Sequence, residues 1–141
     1  MKPYLLDTNT VSHLIKGHPL VARRVVAAPM ASLCISAITA GELFFGLARR
    51  PDAKRLQRVV REFLRRVDVL PWDDGIAERY GTLRAELQTQ GKNLGSLDLL
   101  IAAHALAIGA VLVTSDRAFG HVAGLAVEDW TASQEPSGAA P

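Results

Sequence analysis

Gly95-Ser-Leu-Asp98-Leu-Leu-Ile-Ala-Ala-His104-Ala-Leu-Ala-Ile-Gly109, followed by Ala110-Val-Leu-Val113-Thr-Ser-Asp116, decides the fold of this chain. Strong helix formers fill the first part, with Ser96 placed to cap the start and Gly109 to stop the end. Apolar side chains surround nearly the whole helix, which predicts burial on most sides. The run Ala110 to Val113 is short, apolar and β-branched, the pattern of a central parallel strand covered on both faces. Two acids bracket this block. Asp98 falls in the first helical turn, where the macrodipole and free N–H groups favour an anion. Asp116 follows the strand, where ligands of open α/β sheets collect.

Working outward, the rest of the chain repeats the alternation. Tyr4 to Leu6 reads as a first strand, and Asp7-Thr-Asn9-Thr turns the chain into a helix that stops at Gly17. Pro19 restarts a helix that Pro29 ends. Ser32 to Ile35 is a second strand, and Ser36 caps a helix to about Arg49 that carries Glu42. A helix from Pro51 to about Arg66, a strand over Val67 to Leu70, and a helix from Asp73 or Asp74 to Gln90 precede the central block. Arg117 to Val122 makes a short turn or helix, and Ala126 to Glu128 an edge strand. Strands alternating with helices predict one α/β domain, a parallel central sheet flanked by helices, over residues 1–132. Residues 133–141, rich in Pro, Ser and Ala, read as a flexible C-terminal tail.

Composition narrows the function classes. With 49% hydrophobic and 21% charged residues the 141-residue chain is globular, and one domain's worth of length. A net charge of +2 permits a nucleic-acid partner without requiring one. The single cysteine, Cys34, excludes an internal disulfide and sits in a predicted strand as an inert thiol. No Cys/His spacing resembles a zinc site, and the longest apolar run is shorter than the ~20 residues of a membrane span. With no secretory signal visible, a cytoplasmic protein with no membrane partner is expected.

Four carboxylates then need a reason. Asp7 and Asp116 follow strands at the carboxyl edge of the sheet, while Glu42 and Asp98 lie in the early turns of helices that begin at the same crevice. Two such charges 4 Å apart repel by about 4 kcal/mol at an effective dielectric near 20. A cluster of this kind shares protons or binds a cation. Carboxylate-only ligation suits Mg²⁺, with Mn²⁺ as a substitute, and such ions activate water for in-line attack on a phosphodiester. Taken singly, each acid has an ordinary reading as a helix cap or a first-turn charge; the coincidence of four favours chemistry.

The motifs Leu6-Asp7-Thr-Asn-Thr, Ser36-Ala-Ile-Thr-Ala-Gly-Glu42, Ser96-Leu-Asp98-Leu-Leu-Ile-Ala-Ala and Val113-Thr-Ser-Asp116 resemble, in order and spacing, those of PIN-domain ribonucleases. In particular they resemble the VapC toxins of bacterial VapBC toxin–antitoxin pairs. The resemblance runs from Tyr4 to about Trp130. It implies a PIN-like three-layer sandwich and a Mg²⁺-dependent endoribonuclease, with Asp7, Glu42 and Asp98 as the catalytic and metal-binding acids and Asp116 near the fourth. It also implies an RNA substrate, a homodimer and inhibition by a cognate antitoxin. Many toxins of this type carry Asn where Asp116 stands. Asn9 and Thr114 fit residues that orient the carboxylates. The Asp-Thr-Asn-Thr opening and Val-Glu-Asp-Trp130 are similar to members that cut initiator tRNA.

The stretch Arg49 to Arg66 holds eight of the 16 basic residues. Arg50, Lys54, Arg58, Arg61 and Arg65 recur at helical spacing, opposite Leu56, Val59, Val60, Phe63 and Leu64. Such a stripe is a solvated face, a rim that binds RNA phosphates beside an acidic pocket, or a contact for acidic antitoxin residues. His104, two turns down an apolar helix, reads as packed or hydrogen-bonded. Trp72 and Trp130 read as packing anchors. Two alternatives stand beside the nuclease. An aspartate-phosphorylating phosphatase wants a second Asp where Asn9 stands. A non-catalytic module of the same fold would act only through its partner surfaces.

Overall fold

The computed structural model describes residues 2–132, so the predicted tail over residues 133–141 lies outside the described residues. Five parallel strands form one sheet in the order β3-β2-β1-β4-β5: β1 (Tyr4–Leu6), β2 (Leu33–Ser36), β3 (Asp68–Leu70), β4 (Val111–Val113) and β5 (Val127–Glu128). Among the described residues six α-helices surround it: α1 (Thr8–Ile15), α2 (Pro19–Ala27), α3 (Ala37–Arg49), α4 (Lys54–Arg66), α5 (Asp74–Thr89) and α6 (Ser96–Ile108). The expected three-layer sandwich is present. Alternate strand residues serve opposite cores. Leu5, Cys34 and Leu112 face α5 and α6, while Leu6, Leu33, Ile35 and Val113 face the side of α1 to α4. This two-sided burial is why the central strands read as continuous apolar runs.

Register places the site. Leu5 pairs with Cys34 and Leu6 with Val113, so the residues that follow, Asp7, Ser36 and Thr114, stand side by side at the carboxyl edge. The Asp7 N–H donates to the Val113 carbonyl at 3.0 Å. The strand order reverses at β1, since the chain proceeds to β2 on one side and later to β4 on the other. The crevice between β1 and β4 is the topological switch point where ligands of such sheets bind.

Local sequence explains the boundaries, with three corrections. Helix α1 starts at Thr8, earlier than its apolar periodicity suggests, because Asp7 caps it by accepting from the Thr10 N–H at 2.8 Å. Ser96 is not the cap of α6. Gly95 holds that position without a side-chain hydrogen bond, and Ser96 is the first helical residue. Leu97 is 44% exposed, so the first turn of α6 escapes the burial that its apolar surround predicts. Gly109 closes α6 in the left-handed region at φ 68°, a conformation nearly reserved for glycine. Cys34 is buried as expected, and burial together with Asp68 pushes its thiol up to about 11. Among the described residues no helix is long and apolar enough to cross a membrane.

Candidate active site

Three of the four expected acids line one cavity. Asp7, from the end of β1, Glu42, from the second turn of α3, and Asp98, from the first turn of α6, surround a space of about 210 Å³ with Asn9, Leu97 and Ile101. Asp7 is 4% exposed. One of its oxygens is committed to the α1 cap, which leaves the other for chemistry. The ordinary capping role and the functional one therefore coexist in this residue. The Asp98 carboxylate folds back over the start of its helix, where Oδ2 would stand 3.4 Å from a side-chain carbon placed on Gly95.

Asp116 stands outside the cavity lining but inside its field. Burial, then the charge of Asp116, then that of Asp7, push the Asp98 carboxyl above its ordinary range. The Asp116 carboxylate caps the next turn, accepting from the Ala118 N–H at 2.9 Å. The Thr114 hydroxyl accepts from the Asp116 backbone N–H at 3.1 Å and so holds the segment that carries the Asp116 carboxylate. Asn9 lines the cavity, yet its amide makes no hydrogen bond to the four acids among the described residues.

An oxygen-only donor set from three separated elements, with Asp98 already disfavoured as an anion by burial and by its neighbours, fits a hard divalent cation. As the side chains stand, no three His, Cys, Asp or Glu residues among those described are close enough to hold one. Coordination would therefore require the carboxylates to turn into the cavity they line. Such an ion would supply a Lewis acid and a water of lowered pKa. The protein's own part is to fix the three acids on rigid elements.

One buried pair escaped the sequence reading. His104 Nδ1 lies 2.8 Å from Ser36 Oγ, which also accepts from the Ile38 N–H at 3.1 Å. Burial lowers the His104 pKa against the opposing pull of Asp73. The pair ties α6 to the start of α3, the two helices that carry Asp98 and Glu42. Hydroxyls tie α1 to the same frame: Thr10 donates to the Val113 carbonyl at 2.9 Å, and Thr8 to Thr39 at 3.4 Å. Each residue had a local role in the sequence, and only the sheet register joins them.

The basic stretch divides. Lys54, Arg58, Arg61 and Arg65 lie exposed on α4, opposite Leu56, Val60, Phe63 and Leu64 in the core. Arg50 does not belong to that helix. It ends α3, where with Lys16 and Arg49 it rims a groove of about 280 Å³ between α1, α3 and α4. The groove shares Thr8 and Glu42 with the acid cavity. Arg65 and Arg66 both bind Glu62, at 3.0 and 2.9 Å, so part of the stripe is neutralised within the helix.

Known proteins share this fold. Residues 4–125 match the PIN domain family. The chain is 37% identical over 132 residues to the tRNA(fMet)-specific endonuclease VapC of Shigella flexneri, covering 93% of this chain and all of that one. It is likewise 37% identical over 131 residues to the Ribonuclease VapC of Haemophilus influenzae, covering 92% and 99%. The DNA-bound VapBC crystal structure from Salmonella typhimurium superimposes with a TM-score of 0.86 at 37% identity, covering 92% of this chain and 99% of that one. A promoter-bound VapBC complex from Rickettsia felis gives 0.82 at 31%, covering 89% and 96%. On this identity, coverage and shared architecture, the chain belongs to the PIN-domain family and, within it, to the VapC ribonucleases.

Proposed function

We propose that this protein is a Mg²⁺-dependent endoribonuclease, the toxin of a toxin–antitoxin pair, and that it hydrolyses tRNA, with initiator tRNA as the expected target. The observation that carries the reading is the convergence of Asp7, Glu42 and Asp98 on one cavity at the switch point of the sheet. The relative named for tRNA(fMet) cleavage supports the substrate class. Mn²⁺ is expected to substitute for Mg²⁺, since both accept the same oxygen donors. The test is incubation of purified protein with total tRNA in Mg²⁺, in Mn²⁺ and in chelator, followed by sequencing of new 5′ ends. Discrete cuts in a single tRNA, absent in chelator, are expected. RNA that stays intact in both metals removes the reading and leaves a binding module.

A cognate antitoxin fits the groove between α1, α3 and α4, whose apolar lining includes Ile15, Leu43, Leu47 and Leu56. A peptide seated there would reach the acid cavity across Glu42. The neighbouring VapBC complexes favour such a partner. Homodimerisation is proposed through α3, where Phe44 and Phe45 are 48% and 58% exposed.

Two expectations follow from the charges. Asp116→Asn keeps measurable cleavage, within about one order of magnitude of wild type, because an amide oxygen still caps Ala118 and the residue lies outside the cavity lining. Activity as low as that of Asp98→Asn would make Asp116 an equal partner of the other acids. Replacing Arg58 and Arg61 together by Ala weakens RNA or antitoxin affinity and flattens its salt dependence by about 1–2 in log–log slope. Cleavage at saturating RNA stays near wild type. An unchanged slope for both partners reduces the α4 stripe to a solvated face.

A further inference from the structure

A second cationic concavity lies on the other flank of the α6 N-terminus. Its volume is about 220 Å³, and Tyr80 and Arg84 from α5, Lys92 and Asn93 from the following loop, and Ser96 from α6 line it. Leu99, one turn beyond Ser96, completes the α6 side, whereas Leu97, Asp98 and Ile101 face the acid cavity. The two sites thus share the first turns of one helix, about 10 Å across.

Neither Arg84 nor Lys92 forms an ion pair among the described residues, and Arg84 has a partner that orients it. Arg84 donates to the Tyr80 hydroxyl at 3.2 Å. The Tyr80 ring packs edge-on against Trp72, with centroids 6.0 Å apart, and the Trp72 indole N–H donates to the Leu100 carbonyl of α6 at 3.0 Å. The guanidinium is therefore linked, through two aromatic rings, to the helix that carries Asp98. Having accepted from Arg84, the Tyr80 hydroxyl keeps its own proton to donate. A guanidinium, an ammonium and a hydroxyl converging without a carboxylate match the oxygens of a phosphate diester.

We propose that this concavity binds a nearby backbone phosphate of the same RNA strand whose scissile phosphodiester lies in the acid cavity, so that the strand crosses the first turn of α6. This rests on the ribonuclease reading above. It supplies what a carboxylate-lined cavity lacks, a positive anchor that holds a polyanion against local repulsion. Acidic antitoxin residues are the competing occupant. Six of the nine lining residues present polar or charged groups, which favours a phosphate over a peptide needing apolar anchors.

The test is steady-state cleavage of tRNA, across a salt series, by the double variant Arg84→Ala/Lys92→Ala. Both side chains are exposed, so the fold should persist, and a thermal melt checks this. The KM should rise roughly tenfold or more, and the log–log salt slope should fall by about 0.7–1.4, while kcat moves less than about twofold. The double variant Arg84→Lys/Lys92→Arg, which keeps both charges, should recover most of the affinity. An unmoved KM and slope overturn the inference, as does a loss confined to kcat, or weakened antitoxin binding with RNA affinity intact. If the wild-type protein cleaves no RNA in Mg²⁺ or Mn²⁺, the ribonuclease reading fails and takes this inference with it. Cleavage with an unmoved KM removes the phosphate subsite alone.

Discussion

Asp98→Asn is expected to lower the rate of RNA cleavage by about 10³-fold or more and, in chelator, to raise the melting temperature. The same cause produces both effects. Asp98 is the acid whose charge the fold opposes, through burial and through Asp116 and Asp7. An acid with a folded pKa above its ordinary value of 3.8 binds more protons folded than unfolded. Its ionisation therefore destabilises the protein fully above the folded pKa, and the penalty fades as pH falls through that value toward 3.8. Amide substitution removes the penalty at every pH, so the gain in stability should shrink under acid conditions. Cleavage fails because a neutral amide gives a cation no charge to balance. Melts of both proteins in chelator across an acid-to-neutral pH series, beside a cleavage assay, check the pair of effects. A variant less stable than wild type near neutral pH would make Asp98 a structural first-turn acid.

Trp130→Ala is expected to cost about 3–5 kcal/mol of stability, the range for truncating a buried large aromatic. Trp130 is 2% exposed and packs edge-on against Tyr4 with centroids 5.2 Å apart. The Arg24 guanidinium lies 5.0 Å from its ring centre and binds Glu128 at 2.8 Å, and the indole N–H donates to the same Glu128 oxygen at 3.0 Å. Glu128 ends β5, which among the described residues pairs with β4 alone, so the cluster pins the sheet edge that follows Asp116. Chemical denaturation gives the size of the loss. A cost under about 1 kcal/mol would mean that the edge re-closes without its aromatic anchor.

The elements were legible because their signals are local. Pro19 at a helix start, Gly17 and Gly109 at helix stops, and Asp73 as a cap each act within a few residues. The apolar strands were legible because burial on both faces leaves no polar alternation to interpret. Three of the acids were legible through the places where elements end, since strand ends and helix starts meet at one sheet edge. What the sequence hid depends on register and loop closure. Ser36 and His104 are 68 residues apart, and nothing in either neighbourhood announces the other. Arg50 matches the spacing of the α4 stripe, but the helix begins only at Lys54. Arg84 and Lys92 line one concavity with Ser96 and Leu99 because the loop after α5 leads back to α6.

We propose that Asp7, Glu42 and Asp98 together hold a divalent cation, and the Mg²⁺-induced shift in melting temperature of wild type against Asp7→Asn tests this directly. Asn keeps the α1 cap, so the variant should fold and, in chelator, melt at or above wild type. At a hundredfold excess over Kd, Mg²⁺ should stabilise wild type by about 2.7 kcal/mol, several degrees for a domain of this size, and stabilise Asp7→Asn much less. Equal shifts in the two proteins would place the metal elsewhere and contradict the assignment.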